Sequence, residues 1–274
     1  MQSLTEKRVF APNRPARTVY VGSGQGLLAL SVAGAALGRY SMKVRGAVRA
    51  LTATPQGVIA AIDDRLIAAA GAELPSAVPE TTGAVEVVGA DLTAVWTAVG
   101  DTVTRYPDGG AAETHTVDAP VTAIAPPFIG TTAGLRRLTT DGVQPVGLEH
   151  VTGLTATPLV GTTAGLYTLG NGWMRQLADP VTAVASSDTR QVAVVDGAVV
   201  TATGGWAATD TPPAPPVDLA VTTDALYAVS ADGIAMAHTS GEPWTQLHLG
   251  VDGITAIAIA PTTNGKHPAR AEPI

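Results

Sequence analysis

Ile129-Gly130-Thr131-Thr132-Ala133-Gly134-Leu135 returns almost unchanged as Val160-Gly161-Thr162-Thr163-Ala164-Gly165-Leu166. An earlier copy is Val21-Gly22-Ser23-Gly24-Gln25-Gly26-Leu27, and a looser one is Ala228-Val229-Ser230-Ala231-Asp232-Gly233-Ile234. Each reads as a strand, a tight turn and a second strand, with glycine where the turn demands positive φ. A second phrase runs ahead of the first. Val121-Thr122-Ala123-Ile124-Ala125 recurs as Val181-Thr182-Ala183-Val184-Ala185 and nearly as Ile254-Thr255-Ala256-Ile257-Ala258. Weaker copies start at Val48, Val85, Val151 and Val217. The seven starts are spaced by 37, 36, 30, 30, 36 and 37 residues, and each interval holds four short apolar runs bounded by turn residues. Such runs are antiparallel strands. No stretch sustains a 3.6-residue period between caps, so almost no helix is expected.

Four strands in a unit of about 30–40 residues, repeated radially, is the pattern of a β-propeller. The expected fold is therefore all-β: a seven-bladed β-propeller of four-stranded antiparallel blades. Residues 18–44 supply three strands but lack the inner one, while the chain ends with an orphan copy of it, Ile254 to Ala260. The C-terminal strand is expected to close the first blade, which pairs both chain ends in one sheet and removes two edges. Residues 1–16 read as an entry segment, 17–260 as a single propeller domain and 261–274 as a flexible tail. Thr211-Pro212-Pro213-Ala214-Pro215-Pro216 reads as a stiff connector between the sixth and seventh blades.

Composition narrows the chemistry. The chain has 274 residues, no cysteine and a net charge of −7. Absence of cysteine excludes disulfides, thiolate zinc sites, iron–sulfur clusters and a cysteine nucleophile. The acidic balance argues against non-specific nucleic-acid binding. No run approaches the ~18 apolar residues of a membrane-spanning helix, and Met1 to Arg17 has no signal-peptide core. A cytoplasmic monomer is expected, with no cofactor and no metal. Only Lys7, Lys43 and Lys266 are lysine among 16 basic residues. Such a bias suits a GC-rich genome or a salt-adapted source.

The GTTAGL phrase resembles the strand pair of two-component-regulator and YVTN-type propeller repeats. Trp173, Trp206 and Trp244 fall near the turn between third and fourth strands of consecutive repeats. That placement is similar to the aspartate-box hairpin of sialidase-type propellers, although the box aspartate is absent or replaced by Glu242. Packing between neighbouring sheets is the simpler role for these rings. Taken whole, from Glu6-Lys7-Arg8-Val9 onward, the chain resembles a haloarchaeal seven-bladed β-propeller family without a catalytic signature. The resemblance implies no site residues.

Propellers bind at the central channel or in the loops at its ends, and fold alone assigns no function. The second positions of the inner strands are, in blade order, Thr255, Arg49, Glu86, Thr122, Thr152, Thr182 and Asp218. Three ionisable residues thus replace a default threonine at one height of the channel. Arg49, Glu86 and Asp218 are the candidate ligand-binding ring; mutual neutralisation of Arg49 and Glu86 is the competing role. Two acids are too few for calcium, which takes six or more oxygens. Glu113 and His115 share a strand face without a visible third metal ligand. His238 and His248 flank the Trp244 hairpin and are expected to approach across it. His150 precedes an inner strand, and His267 lies in the tail. No Ser-His-Asp order with a strained nucleophile turn is present. Gly22-Ser23-Gly24-Gln25-Gly26 reads as a turn, because it lacks the lysine and helix of a phosphate loop. The expected function is a non-enzymatic binding or scaffold protein presenting a propeller face to a protein partner. The alternative is a propeller hydrolase or lactonase, or a small-ligand sensor using the channel. A hydrolase would need Glu86, Asp218 and His150 to converge.

Overall fold

The computed structural model describes residues 17–202, 204–240 and 242–261. The entry segment, the tail beyond residue 261 and His267 lie outside the described residues. Seven antiparallel sheets form the ring. Their inner strands are Ile254–Ile259 in blade 1, Val48–Ala53 in blade 2, Val87–Ala90 in blade 3 and Val121–Ala125 in blade 4. Val151–Leu154, Val181–Ser186 and Asp218–Val221 serve blades 5, 6 and 7. Among the described residues there is no helix, and therefore none long and apolar enough to cross a membrane. Ring closure is as the repeat count requires. The C-terminal strand pairs with Arg17–Ser23, matching Val19 to Ile259, Tyr20 to Ala258 and Val21 to Ile257.

The core is distributed as seven apolar clusters, one at each seam between neighbouring blades. This follows from the strand pattern, because both faces of each sheet meet another sheet and both must be apolar. The repeated Val-Gly-Thr phrase belongs to this packing. A Cβ on Gly22, Gly130 or Gly161 would lie 2.5, 2.5 or 2.7 Å from Cγ1 of Val48, Val151 or Val181, the first valine of the next blade. Each glycine is a hole for its neighbour's valine. The hydroxyl after it (Ser23, Thr131 or Thr162) is fully buried and donates to the carbonyl of the glycine three residues on, at 2.8–3.0 Å. The Gly22–Gly26 stretch is thus a hairpin turn.

Blade 2 departs from the four-stranded plan. It has three strands, ending with Arg65–Ala69. Residues 70–84 contain Pro75 and Pro79, and Ala70 and Gly71 have positive φ of 59° and 95°. Proline removes ladder donors and the left-handed turn redirects the chain, so the apolar run read there as a fourth strand does not pair. The connector at 211–216 alternates between exposed and buried residues and sends Ala214 into the seam of blades 6 and 7.

Two ends of the ring follow from this order. One carries the turns between second and third strands and the crossovers between blades. The other carries the turns between first and second and between third and fourth strands.

Candidate functional site

In blades 1, 2, 4, 5 and 6 the inner ladder skips the second residue. Thr255, Arg49, Thr122, Thr152 and Thr182 are each the extra residue of a β-bulge. A bulge bends the strand and re-aims its side chain. Three threonines are turned sideways to the next blade. Thr122 Oγ1 donates to the Val151 carbonyl and Thr152 Oγ1 to the Val181 carbonyl, both at 2.7 Å. Thr255 Oγ1 donates to the Val48 carbonyl at 3.2 Å. Thr182 is exposed and makes no such bond. The ring of second positions is therefore mainly a belt of blade-to-blade latches.

Asp218 is a latch of the opposite polarity. Its Oδ2 accepts from the Ile257 N–H of blade 1 and its Oδ1 from the Leu219 N–H, both at 2.8 Å. Burial pushes its carboxyl up to about 6, against the lowering pull of those two N–H groups. Glu86 is exposed, stands just ahead of the blade 3 ladder and accepts from the Gly100 N–H at 3.1 Å. Arg49 is exposed and forms no hydrogen bond or ion pair among the described residues. The expected neutralisation of Arg49 by Glu86 does not form: the glutamate is committed to a turn of its own blade. No hydrogen bond or ion pair joins any two of the three. His150, with φ of 47°, sits exposed on the crossover into blade 5 and shares no hydrogen bond with Asp218 of blade 7 or Glu86 of blade 3.

The other histidines separate too. His248 pairs with Ile234, at the opposite end of the hairpin from His238. His238 is 8% exposed, stacks on Trp244 at 5.1 Å and leaves Nδ1 without a hydrogen-bond partner. Glu113 is taken by Arg105 at 3.1 Å, and His115 Nε2 is buried without a partner. The tryptophans act as packing elements. Trp173 meets Phe128 of blade 4 edge-on at 5.6 Å, Trp206 packs into the seam of blades 5 and 6, and Trp244 Nε1 donates to the Asp210 carbonyl. An ion pair between a buried arginine and an exposed aspartate was not legible in the sequence. Arg136, 8% exposed, grips Asp118 at 2.7 and 2.8 Å and holds that carboxyl below the usual range. The pair ties the crossover from blade 3 to blade 4. Its only signal was an arginine where the other copies of the phrase carry an apolar or aromatic residue.

The open space lies at the other end of the ring. A cleft of about 460 Å³ separates blades 2 and 3, and one of about 300 Å³ separates blades 6 and 7. The first is lined by Glu73, Asp91 and Asp108 and by no basic residue. Leu92, 73% exposed, stands at its rim. Asp91 accepts from Thr93 N–H and Oγ1 and from Trp96 Nε1. Burial raises its pKa, but these bonds outweigh it and hold the carboxyl below its ordinary value.

No curated protein sequence matches the chain. Solved structures do match. The computationally designed Ika8 protein aligns with a TM-score of 0.60 at 16% identity, over 89% of this chain and 91% of that one. AztD from Citrobacter koseri aligns with 0.56 at 9% identity, over 90% and 99%. The extracellular domain of the putative one-component system BT4673 from B. thetaiotaomicron aligns with 0.58 at 11% identity, over 81% of this chain but only 38% of that one. At such identities the likeness is one of fold alone. The repeat phrases, the closing C-terminal strand and the seven seams agree with a family model that spans them, over residues 3–260, and the chain belongs to the Beta-prop_HVO_0234-like, beta propeller family.

Proposed function

We propose that this propeller is a non-enzymatic scaffold that holds a protein partner on the end of the ring carrying the two clefts. One observation carries the reading. The polar groups at the height of the channel ring are spent largely on joining blades, whereas the cleft between blades 2 and 3 presents the exposed Leu92 beside the exposed carboxylates of Glu73 and Asp108. A rigid ring with an accessible face suits recognition by shape and charge. We place the protein in the cytoplasm as a monomer; the excess of Arg over Lys and of Asp over Glu accords with a haloarchaeal source, and the GTTAGL phrase with YVTN-type repeats.

The test is a tagged pull-down from native extract at the source organism's internal salt. Wild type, an Arg49→Ala/Glu86→Ala/Asp218→Asn variant and a Leu92→Glu variant are run side by side. A stoichiometric partner kept by the channel variant and lost by Leu92→Glu supports the reading. A partner lost only by the channel variant moves the site to the ring, and no partner at all removes the scaffold role.

A further inference from the structure

Two loops of blade 6 reach the end of the ring that carries the clefts. Ser187-Asp188-Thr189-Arg190 joins its first and second strands, and Thr209-Asp210 follows its fourth strand, Trp206–Ala208. The backbone of each loop is tied down. Ser187 N–H donates to the Arg190 carbonyl at 2.8 Å and closes the first turn. The Asp210 carbonyl accepts from Trp244 Nε1 of blade 7 at 2.8 Å and from Thr209 Oγ1 at 3.0 Å. The charged heads are free. Among the described residues, neither the half-buried Arg190 guanidinium nor the exposed Asp210 carboxylate has a hydrogen bond or an ion pair.

Both residues line the same cleft, the one of about 300 Å³ between blades 6 and 7. They are its only charged lining apart from what His238 carries. Glu242, close by in sequence, is held by the Thr239 hydroxyl and does not line the space. Leu226, fully buried, with Ala207 and Ala208, adds an apolar surface. His238, stacked on Trp244 and with Nδ1 unpartnered, forms a rigid wall of blade 7. The cleft therefore differs in kind from that of blades 2 and 3, which is lined by three acids and no base. Here one cation and one anion stand on fixed loops, face a single space and leave each other unpaired. Two such charges gain little from one another in water. A ligand that brings both opposite charges at once satisfies both and also covers the apolar lining.

We propose that the cleft between blades 6 and 7 binds a small zwitterion with a short aliphatic body, the chemistry of a free α-amino acid. Its carboxylate meets the planar donor fork of Arg190. Its ammonium group meets the carboxylate of Asp210, and its side chain covers Leu226, Ala207 and Ala208. The cleft stands at the lower end of the roughly 300–1,000 Å³ of ligand pockets, so the occupant is small. The site goes beyond the scaffold reading and does not depend on it.

The probe is L-leucine, with leucinamide, which keeps only the positive charge, and 4-methylpentanoate, which keeps only the negative one. Each is titrated into the full chain and followed by NMR. L-leucine is expected to shift the amides of Arg190 and Asp210 and the Trp244 indole N–H. Each single-charge analogue should bind about five- to tenfold more weakly, the loss of one charged contact. Two variants give a crossed pattern. Arg190→Gln should abolish the preference for L-leucine over leucinamide, and Asp210→Asn the preference over 4-methylpentanoate. Neither side chain has a partner to lose, so both variants are expected to fold. Leu92→Glu, in the other cleft, should bind L-leucine as the wild type does. Absence of any shift up to about 10 mM L-leucine overturns the proposal. So does leucinamide binding the wild type as tightly as L-leucine (a peptide N-terminus), or 4-methylpentanoate doing so (a simple anion site). Unchanged L-leucine binding in both Arg190→Gln and Asp210→Asn overturns it as well. A partner captured from extract by a chain that does not bind L-leucine removes this site and leaves the scaffold standing. L-leucine binding with no partner in extract keeps the site and removes the scaffold.

Discussion

Blade 1 has strands of 6, 7, 8 and 10 residues; blade 2 has strands of 6, 5 and 5. The two are neighbours and share a seam of apolar side chains. Blade 1 is where the ring must be held shut without a continuous chain. The closing ladder between Ile254–Ile259 and Arg17–Ser23 lies within its own sheet, and its seam with blade 7 buries sixteen of the described residues against three at the seam of blades 4 and 5. Tyr227 of blade 7 adds a hydrogen bond from its hydroxyl to the Gly34 carbonyl of blade 1 at 2.7 Å. Blade 2 is held by covalent connections on both sides and can lose a strand. The difference teaches that the blade whose sheet joins the two ends of the ring carries the longest strands and the largest seam, whereas a blade made of one continuous stretch of chain stands with three strands.

The sharpest way to break that contrast is to remove the closing strand. A chain ending before Ile254 loses two buried isoleucines, together about 3–6 kcal/mol of apolar burial, besides a full ladder. That is comparable with the roughly 5–15 kcal/mol that stabilises a domain, so no cooperative thermal transition is expected. A retained transition near the wild-type temperature would mean that closure is not where the stability lies.

A smaller effect probes the seam that blades 1 and 2 share. Gly22→Ala places a Cβ against Val48 and should destabilise by about 1–3 kcal/mol. Val48→Ala in the same chain should recover much of it, read as a double-mutant cycle in urea. Strict additivity would show that the glycine serves its turn rather than its neighbour.

Acidity tests the closure electrostatically. The folded-state pKa of Asp218, about 6, lies above its ordinary value. Its contribution is fully present below pH ~4 and is lost as pH rises through about 6. The span is at most about 3 kcal/mol, and less because the group is partly exposed. Asp218→Asn should flatten stability across that window. An unchanged pH profile in the variant would assign the titration elsewhere.

The smallest expected effect compares a latch with the outermost strand of blade 2. Thr255→Val removes the hydroxyl that reaches Val48 and should cost about 1 kcal/mol. Ala68→Ser, on that outermost strand, should stay within about 0.5 kcal/mol in the same urea titration. Equal losses would mean that the two regions are coupled after all.

The fold was legible because its signals are local and repeated. Strand, turn and strand are specified within each Gly-Thr-Thr-Ala-Gly phrase, and the orphan copy at Ile254 required closure. The chemistry of the ring was less legible. Second positions could be aligned by sequence, but a one-residue bulge decides where each side chain points, and the bulges at Thr122 and Thr255 turn hydroxyls to a neighbouring carbonyl. The missing strand was hidden for a related reason. Residues 70–84 fill the interval where the period calls for a fourth strand, and Ala70, Gly71 and the two prolines divert them.

The amino-acid order by itself determined seven blades, their inner strands and the pairing of the two chain ends, because periodicity and turn residues act over a few positions. Tertiary structure alone decided which polar groups are spent and which are left open. Whether Asp218 meets a backbone N–H of blade 1 depends on groups brought together from distant parts of the chain. The spacing of residues along one segment carries no record of such partners.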